Sequence, residues 1–119
     1  MTAVRRDELE PFVTLDGSEI REYAGPREGA ARHQSLAEAI VPPGSATVAH
    51  LHRTTEELYL FLSGHGRMRL GEQELAVGPG HCVVIPPGTP HKLWSGEEPL
   101  VLLCCCAPAY CDADTELLE

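Results

Sequence analysis

An all-β fold, a barrel or a sandwich, is predicted for this chain of 119 residues. Two observations predict it. Short apolar runs recur at regular spacing, and glycine or proline punctuates nearly every gap between them. The length fits one domain with one hydrophobic core.

The elements follow in order. Residues 1–11 read as an arm ending at Pro11. Phe12–Leu15 is a short strand, and Asp16-Gly17 signals a hairpin turn into Ile20–Tyr23. Gly25–Gly29 is a loop. Leu36–Val41 is a strand stopped by Pro42, Pro43 and Gly44, and Thr47–Leu51 carries a histidine pair. Glu57–Leu62, Arg67–Leu70 and Gln73–Val77 are separated by glycine turns. Cys82–Ile85 leads into the turn Pro86-Pro87-Gly88, followed by Lys92–Trp94 and Leu100–Ala107. Residues 1–35 are thus an arm with short strands, 36–107 the barrel, and 108–119 an acidic tail that makes one helical turn or lies disordered.

Four side chains in this pattern have the chemistry of a metal ligand set. His50 and His52 alternate along a strand and share a face. A hairpin into the next strand would set Glu57 opposite them, and His91 would arrive from a distant strand of a closed barrel. Three imidazoles and one carboxylate suit a divalent transition metal (Fe, Mn, Ni, Zn, Co or Cu) rather than Ca or Mg. The bland alternative is two ordinary strand histidines beside a solvated acidic turn at Glu56 and Glu57.

Gly44, His50, His52, Glu57 and Gly64 match G-x5-H-x-H-x4-E-x6-G at every spacing. Gly80, Pro86, Gly88 and His91 match G-x5-P-x-G-x2-H-x3-N, with Ser95 in place of the closing Asn. These are the two cupin motifs, and the chain resembles a small single-domain bacterial cupin. That resemblance implies a double-stranded β-helix (jelly roll) and a metal on His50, His52, Glu57 and His91. It implies that position 95 supports the turn without binding metal, and it leaves the substrate open. Cupins include dioxygenases, isomerases, cyclases, decarboxylases and binding proteins.

Strand parity suggests which residues surround the site. If His50 and His52 face inward on a bulge-free strand, Val48 and Ala46 do too. With Glu57 inward, Tyr59 and Phe61 follow, Met68 faces in between Arg67 and Arg69, and Leu93 faces in beyond His91. Val48, Phe61, Met68 and Leu93 are therefore expected to line a mostly apolar pocket. Tyr59 is its polar handle and a candidate proton-transfer group. Glu38 is the second candidate, if Leu36, Glu38 and Ile40 face the barrel; if Ala37, Ala39 and Val41 do, Glu38 is solvated. His33, His65 and His81 lack ligand-like spacing.

Leu58, Leu60 and Leu62 make the other face of their strand equally apolar, so a homodimer is expected to cover it. A formal net charge of −9 argues against a nucleic-acid partner. No apolar run approaches the ~20 residues of a membrane span, and the charged start lacks a signal-peptide core, so a cytoplasmic location is expected. Of five cysteines, Cys104, Cys105 and Cys106 are consecutive, which disfavours a disulfide framework. They read as small apolar residues of a buried strand; a thiol lining the pocket is the sharper alternative.

The functional expectation is a metal-dependent enzyme acting on a small or aromatic oxygenated metabolite, by isomerisation, cyclisation or oxygenation. The alternative is a non-catalytic, metal-dependent small-molecule binding protein.

Overall fold

A computed structural model describes residues 3–27 and 31–119. The loop expected at Gly25–Gly29 is a turn through 27, and its remainder lies outside the described residues. The strands are β1 (Phe12–Val13), β2 (Glu19–Ala24), β3 (Ser35–Val41), β4 (His50–His52), β5 (Glu56–Ser63), β6 (Gly66–Leu70), β7 (Gln73–Val77), β8 (Cys82–Ile85), β9 (His91–Ser95), β10 (Leu100–Ala107) and β11 (Thr115–Leu117). They form two antiparallel sheets, ordered β1-β2-β3-β10-β5-β8 and β11-β4-β9-β6-β7. This is the all-β fold that the glycine and proline punctuation predicts, in the two-sheet jelly-roll form that the resemblance implies.

Alternation along β5 sets the core. Glu57, Tyr59 and Phe61 are buried, while Leu58, Leu60 and Leu62 remain exposed on the other face. Tyr59 and Phe61 join Met68, Ile85, Leu93, Leu100 and Leu102 between the sheets. Two turn glycines permit the close approach of the loops. A Cβ at Gly64 would collide with the Pro99 carbonyl, and one at Gly66 with that of Trp94. Ser95 does stabilise its turn: it accepts a hydrogen bond from the Ser45 N–H at 2.9 Å and donates to the Pro42 carbonyl.

Four sequence expectations need correction. First, β4 and β5 are not a hairpin. β4 pairs with β9, setting His50 directly opposite His91, whereas β5 lies in the other sheet. His91 is therefore the ladder neighbour of the histidine pair, and Glu57 reaches them across the barrel. Second, the strand before His50 is not bulge-free. Ala46 pairs with Trp94 and His50 with His91, so four steps on one side face three on the other. The extra residue shifts parity by one. Thr47 takes the place in the cavity wall expected for Val48.

Third, Ala37, Ala39 and Val41 face the cavity, so Glu38 points to the outside of the sheet. Arg6 holds it there through two hydrogen bonds of 3.0 and 2.9 Å, with Arg21 at 3.6 Å. An ion pair on the far side of β3 cannot transfer a proton in the cavity, which removes Glu38 from the catalytic candidates. Fourth, the arm and the tail are integral to the fold. β1 and β2 extend the larger sheet, and after one helical turn at Asp112–Asp114 the tail adds β11 beside β4.

The outer face of the larger sheet is an apolar surface. The register puts Leu58 between Cys105 and Val84, and Leu60 between Leu103 and Cys82. Exposure there runs from 38 % at Leu36 and Leu58 to 52 % at Val84. We propose that a second copy of the chain covers it, since the adjoining apolar faces of β5, β8 and β10 can match themselves under twofold symmetry. Sedimentation at micromolar concentration should show a dimer burying ~1,200–2,000 Å² in total. Leu60→Lys should shift it to monomer, and a monomeric wild type would refute the pairing.

Candidate metal centre

Each histidine is oriented by its own Nδ1. That of His50 lies 2.8 Å from the Val48 carbonyl, and that of His91 lies 2.9 Å from the Thr89 carbonyl. A carbonyl can only accept, so both Nδ1 atoms carry the proton. His52 Nδ1 lies 3.0 Å from Thr115 Oγ1, whose own hydrogen is given to the Cys111 carbonyl. Thr115 is thus the acceptor, and His52 has the same tautomer. Every Nε2 is left with a bare lone pair in the neutral ring.

The three lone pairs converge. The ligand nitrogens of His50, His52 and His91 lie within 4.8 Å of one another, and all three rings are buried. Glu57 Oε1 stands 3.2 Å from His52 Nε2 and 3.5 Å from His91 Nε2. Glu57 Oε1 and His91 Nε2 are buried without a hydrogen-bond partner. Three imidazole lone pairs with a carboxylate beside two of them repel unless a cation stands among them, and only a proton or a metal ion can do so. The residues therefore fit a divalent metal held by His50, His52, His91 and Glu57.

Electrostatics agree. Burial alone would raise the Glu57 carboxyl, but its neighbours His52 and His91 outweigh that and lower it to about 2, so it stands as a carboxylate. Burial and the neighbouring His91 lower His50 below its ordinary value, which keeps that ring neutral and ready to coordinate.

The cavity over these residues has a volume of about 50 Å³, room for one or two water molecules. Tyr59 and Leu93 line it as expected, whereas Phe61 and Met68 are packed in the core without reaching its wall. Burial pushes the Tyr59 phenol well above its ordinary range, so it remains a neutral hydroxyl. Cys104 and Cys106 also line the cavity, and Cys106 Sγ lies 3.2 Å from Glu57 Oε2. Burial raises both thiols, which are free and protonated. The pocket-facing alternative for the cysteine run is thus the one realised, by Cys104 and Cys106, with Cys105 between them on the outer sheet face.

Sequence reading missed Asp16, Ser18, Tyr110 and Thr115. Asp16 sits in the predicted hairpin turn, where its turn-forming role hid its position beside His50 Nε2 at 3.7 Å. Tyr110 and Thr115 belong to the tail, whose acidic composition carried no sign of a strand. An outer recess of about 430 Å³ shares Phe12, Thr14, Glu22 and Tyr110 with the inner cavity.

The sequence profile of the Cupin domain matches residues 37–106. The chain is a cupin. An uncharacterized protein of Methanocaldococcus jannaschii, MJ1618, is 48 % identical over 114 residues, covering 95 % of this chain and 91 % of that one. Among solved structures, the nucleoside dehydratase Pac13 superposes with a TM-score of 0.82 at 17 % identity, over 100 % of this chain and 92 % of its own. A predicted oxalate decarboxylase from Thermotoga maritima gives 0.75 at 20 % identity, over 90 % and 99 %. At such identities these structures establish the double-stranded β-helix that the cupin motifs imply, and their reactions differ from one another.

Two predictions follow from the geometry. Thr115→Ala removes the acceptor that orients His52, and chelator competition should show metal affinity falling ~10–100-fold with the fold intact; an unchanged affinity would dissociate Thr115 from the centre. The second concerns acid. The unfolded chain binds a proton on His50 below 6.5 that the fold resists, and on Glu57 between 4.5 and about 2. Both differences make stability fall as pH falls. The melting temperature of chelator-treated protein should therefore drop from pH 7 to pH 5 and again below pH 4.5, and His50→Gln should flatten the first drop.

Proposed function

We propose that this cupin is a metal-dependent enzyme that rearranges a small oxygenated metabolite without oxidising it, as an isomerase or cyclase does. The observation that carries the reading is the gathering of three tautomer-fixed histidines, with Glu57 beside two of them, in the wall of a largely buried cavity. Bound there, a divalent ion supplies Lewis-acid polarisation of a substrate oxygen, worth several kcal/mol of barrier. His50, His52, His91 and Glu57 would hold the ion, and it would polarise the oxygens of a ligand bound beside them.

The chain's own residues supply the rest. Leu93, Leu102, Ala39 and Val41 exclude water from the reacting atoms, which strengthens every polar contact there. Tyr59 offers a neutral hydroxyl as hydrogen-bond donor in that wall, against the face of His91, with ring centroids 5.9 Å apart. The small inner cavity admits the oxygenated end of a ligand, and the outer recess takes any larger, aromatic remainder.

Two features favour the non-oxidative branch over oxygenation. Cys104 and Cys106 are free thiols in the cavity wall, and repeated oxygen activation beside them would carry them up the thiol oxidation ladder. The five free cysteines also support a reducing compartment, and we place the protein in the cytoplasm. No helix among the described residues is long and apolar enough to cross a membrane.

A substrate screen of the metal-loaded protein under argon and under air tests the reading. Turnover should be equal in both atmospheres, fall by at least ~100-fold in Glu57→Gln, and fall more modestly, ~10-fold, in Tyr59→Phe. Turnover that requires oxygen would move the protein to the dioxygenase class. Ligands that bind at the metal without conversion would make it the binding protein that the sequence also allows.

A further inference from the structure

Asp16 is held as a fixed carboxylate over the metal-binding face. Its Oδ1 accepts three hydrogen bonds: from Thr14 Oγ1 at 2.7 Å, from the Ser18 N–H at 2.9 Å and from Ser18 Oγ at 2.6 Å. Its backbone carbonyl accepts from the Val48 N–H at 2.7 Å, tying the turn to the bulge that precedes His50. Those contacts use one side of the residue only. They leave Oδ2 directed at His50 Nε2, 3.7 Å away, longer than the 3.2 and 3.5 Å at which Glu57 stands from its histidines.

The inner cavity is lined by three carboxylates, Asp16, Glu22 and Glu57, and by no lysine or arginine among the described residues. Arg27 lies in the outer recess and is stacked 3.8 Å over the Phe12 ring. A divalent ion with Glu57 and Asp16 is formally neutral. An anionic ligand would therefore gain little from the centre as a whole and would be pressed against Asp16 Oδ2. A hydroxyl can instead donate to that oxygen.

Resting on the metal-centre reading above, we propose that Asp16 determines the ligand class. It accepts a hydrogen bond from a hydroxyl of an uncharged hydroxy-carbonyl ligand and excludes carboxylates and phosphates from the inner cavity. Asp16 is a specificity residue outside the metal's ligand set. The sequence signal at Asp16-Gly17 was a turn, and the structure gives that turn a second task.

The test uses cobalt(II)-loaded protein, with dihydroxyacetone as the uncharged probe and oxalate as the anionic one, each followed through the visible cobalt spectrum. Asp16→Asn keeps the acceptor oxygen that Thr14 and Ser18 bind, removes the charge and turns the cavity-facing acceptor into an amide donor; Asp16→Ser is a second variant with a turn-forming side chain. Both should retain cobalt within about threefold of wild type, lose about tenfold in dihydroxyacetone affinity and gain at least about tenfold in oxalate affinity. Oxalate binding equally well to wild type and variants would overturn the proposal. So would loss of cobalt on Asp16→Asn as severe as on Glu57→Gln, which would make Asp16 a ligand. Failure of the wild type to hold cobalt at all is a separate result: it sinks the metal-centre reading itself.

Discussion

The organisation of this molecule depends on three hydrogen bonds made by histidine nitrogens that face away from the centre. The carbonyls of Val48 and Thr89 and the hydroxyl of Thr115 take the Nδ1 protons of His50, His91 and His52. Once those protons are fixed, three lone pairs and the Glu57 carboxylate converge in a buried space with no donor between them. An arrangement of that kind is electrostatically unstable alone and stable around a cation. The fold keeps it because the cost is met when the ion binds.

Each orienting acceptor comes from a different structural device, which explains why the barrel needs its irregular parts. The Val48 carbonyl lies in a bulge with one residue more than the β9 side. The Thr89 carbonyl lies in the turn between β8 and β9, just ahead of His91. Thr115 stands on β11, the strand that the tail adds beside β4, where it is paired with His52. Regular ladder alone would place the histidines on the correct face without fixing their tautomers. The same bulge carries the N–H that docks the Asp16 turn over His50, so one extra residue serves both the ligand and its surroundings.

Most of the strands were legible because alternation and punctuation are local properties. Glu57, Tyr59 and Phe61 point inward as parity requires, and Gln73–Val77, Cys82–Ile85 and Leu100–Ala107 appear with the expected bounds. The two motifs named the three histidines whose nitrogens gather and the Glu57 that stands beside two of them. What parity could not reveal is where it slips or which of two apolar faces wins. Val48 and Thr47 exchange roles at a bulge that leaves no composition signal. Glu38 turns outward because three small side chains, Ala37, Ala39 and Val41, suit the crowded interior and Arg6 and Arg21 await it outside. The strand partners were also illegible: β4 and β5 are consecutive, yet they belong to different sheets. The tail hid Tyr110 and Thr115 because acidic residues dominate its composition, while β-pairing there depends on the open edge of β4.

The central claim is that the three histidines share one tautomer and that their lone pairs hold a metal. Nitrogen-15 NMR of the imidazoles, recorded on protein purified without added metal and again after chelation, tests this most directly, together with metal analysis of the same samples. The account predicts about one transition-metal ion per chain before chelation. After chelation it predicts Nδ1-protonated rings at His50, His52 and His91 whose Nε2 signals move on reloading. Nε2-protonated rings, or unchanged signals on addition of zinc, would contradict it.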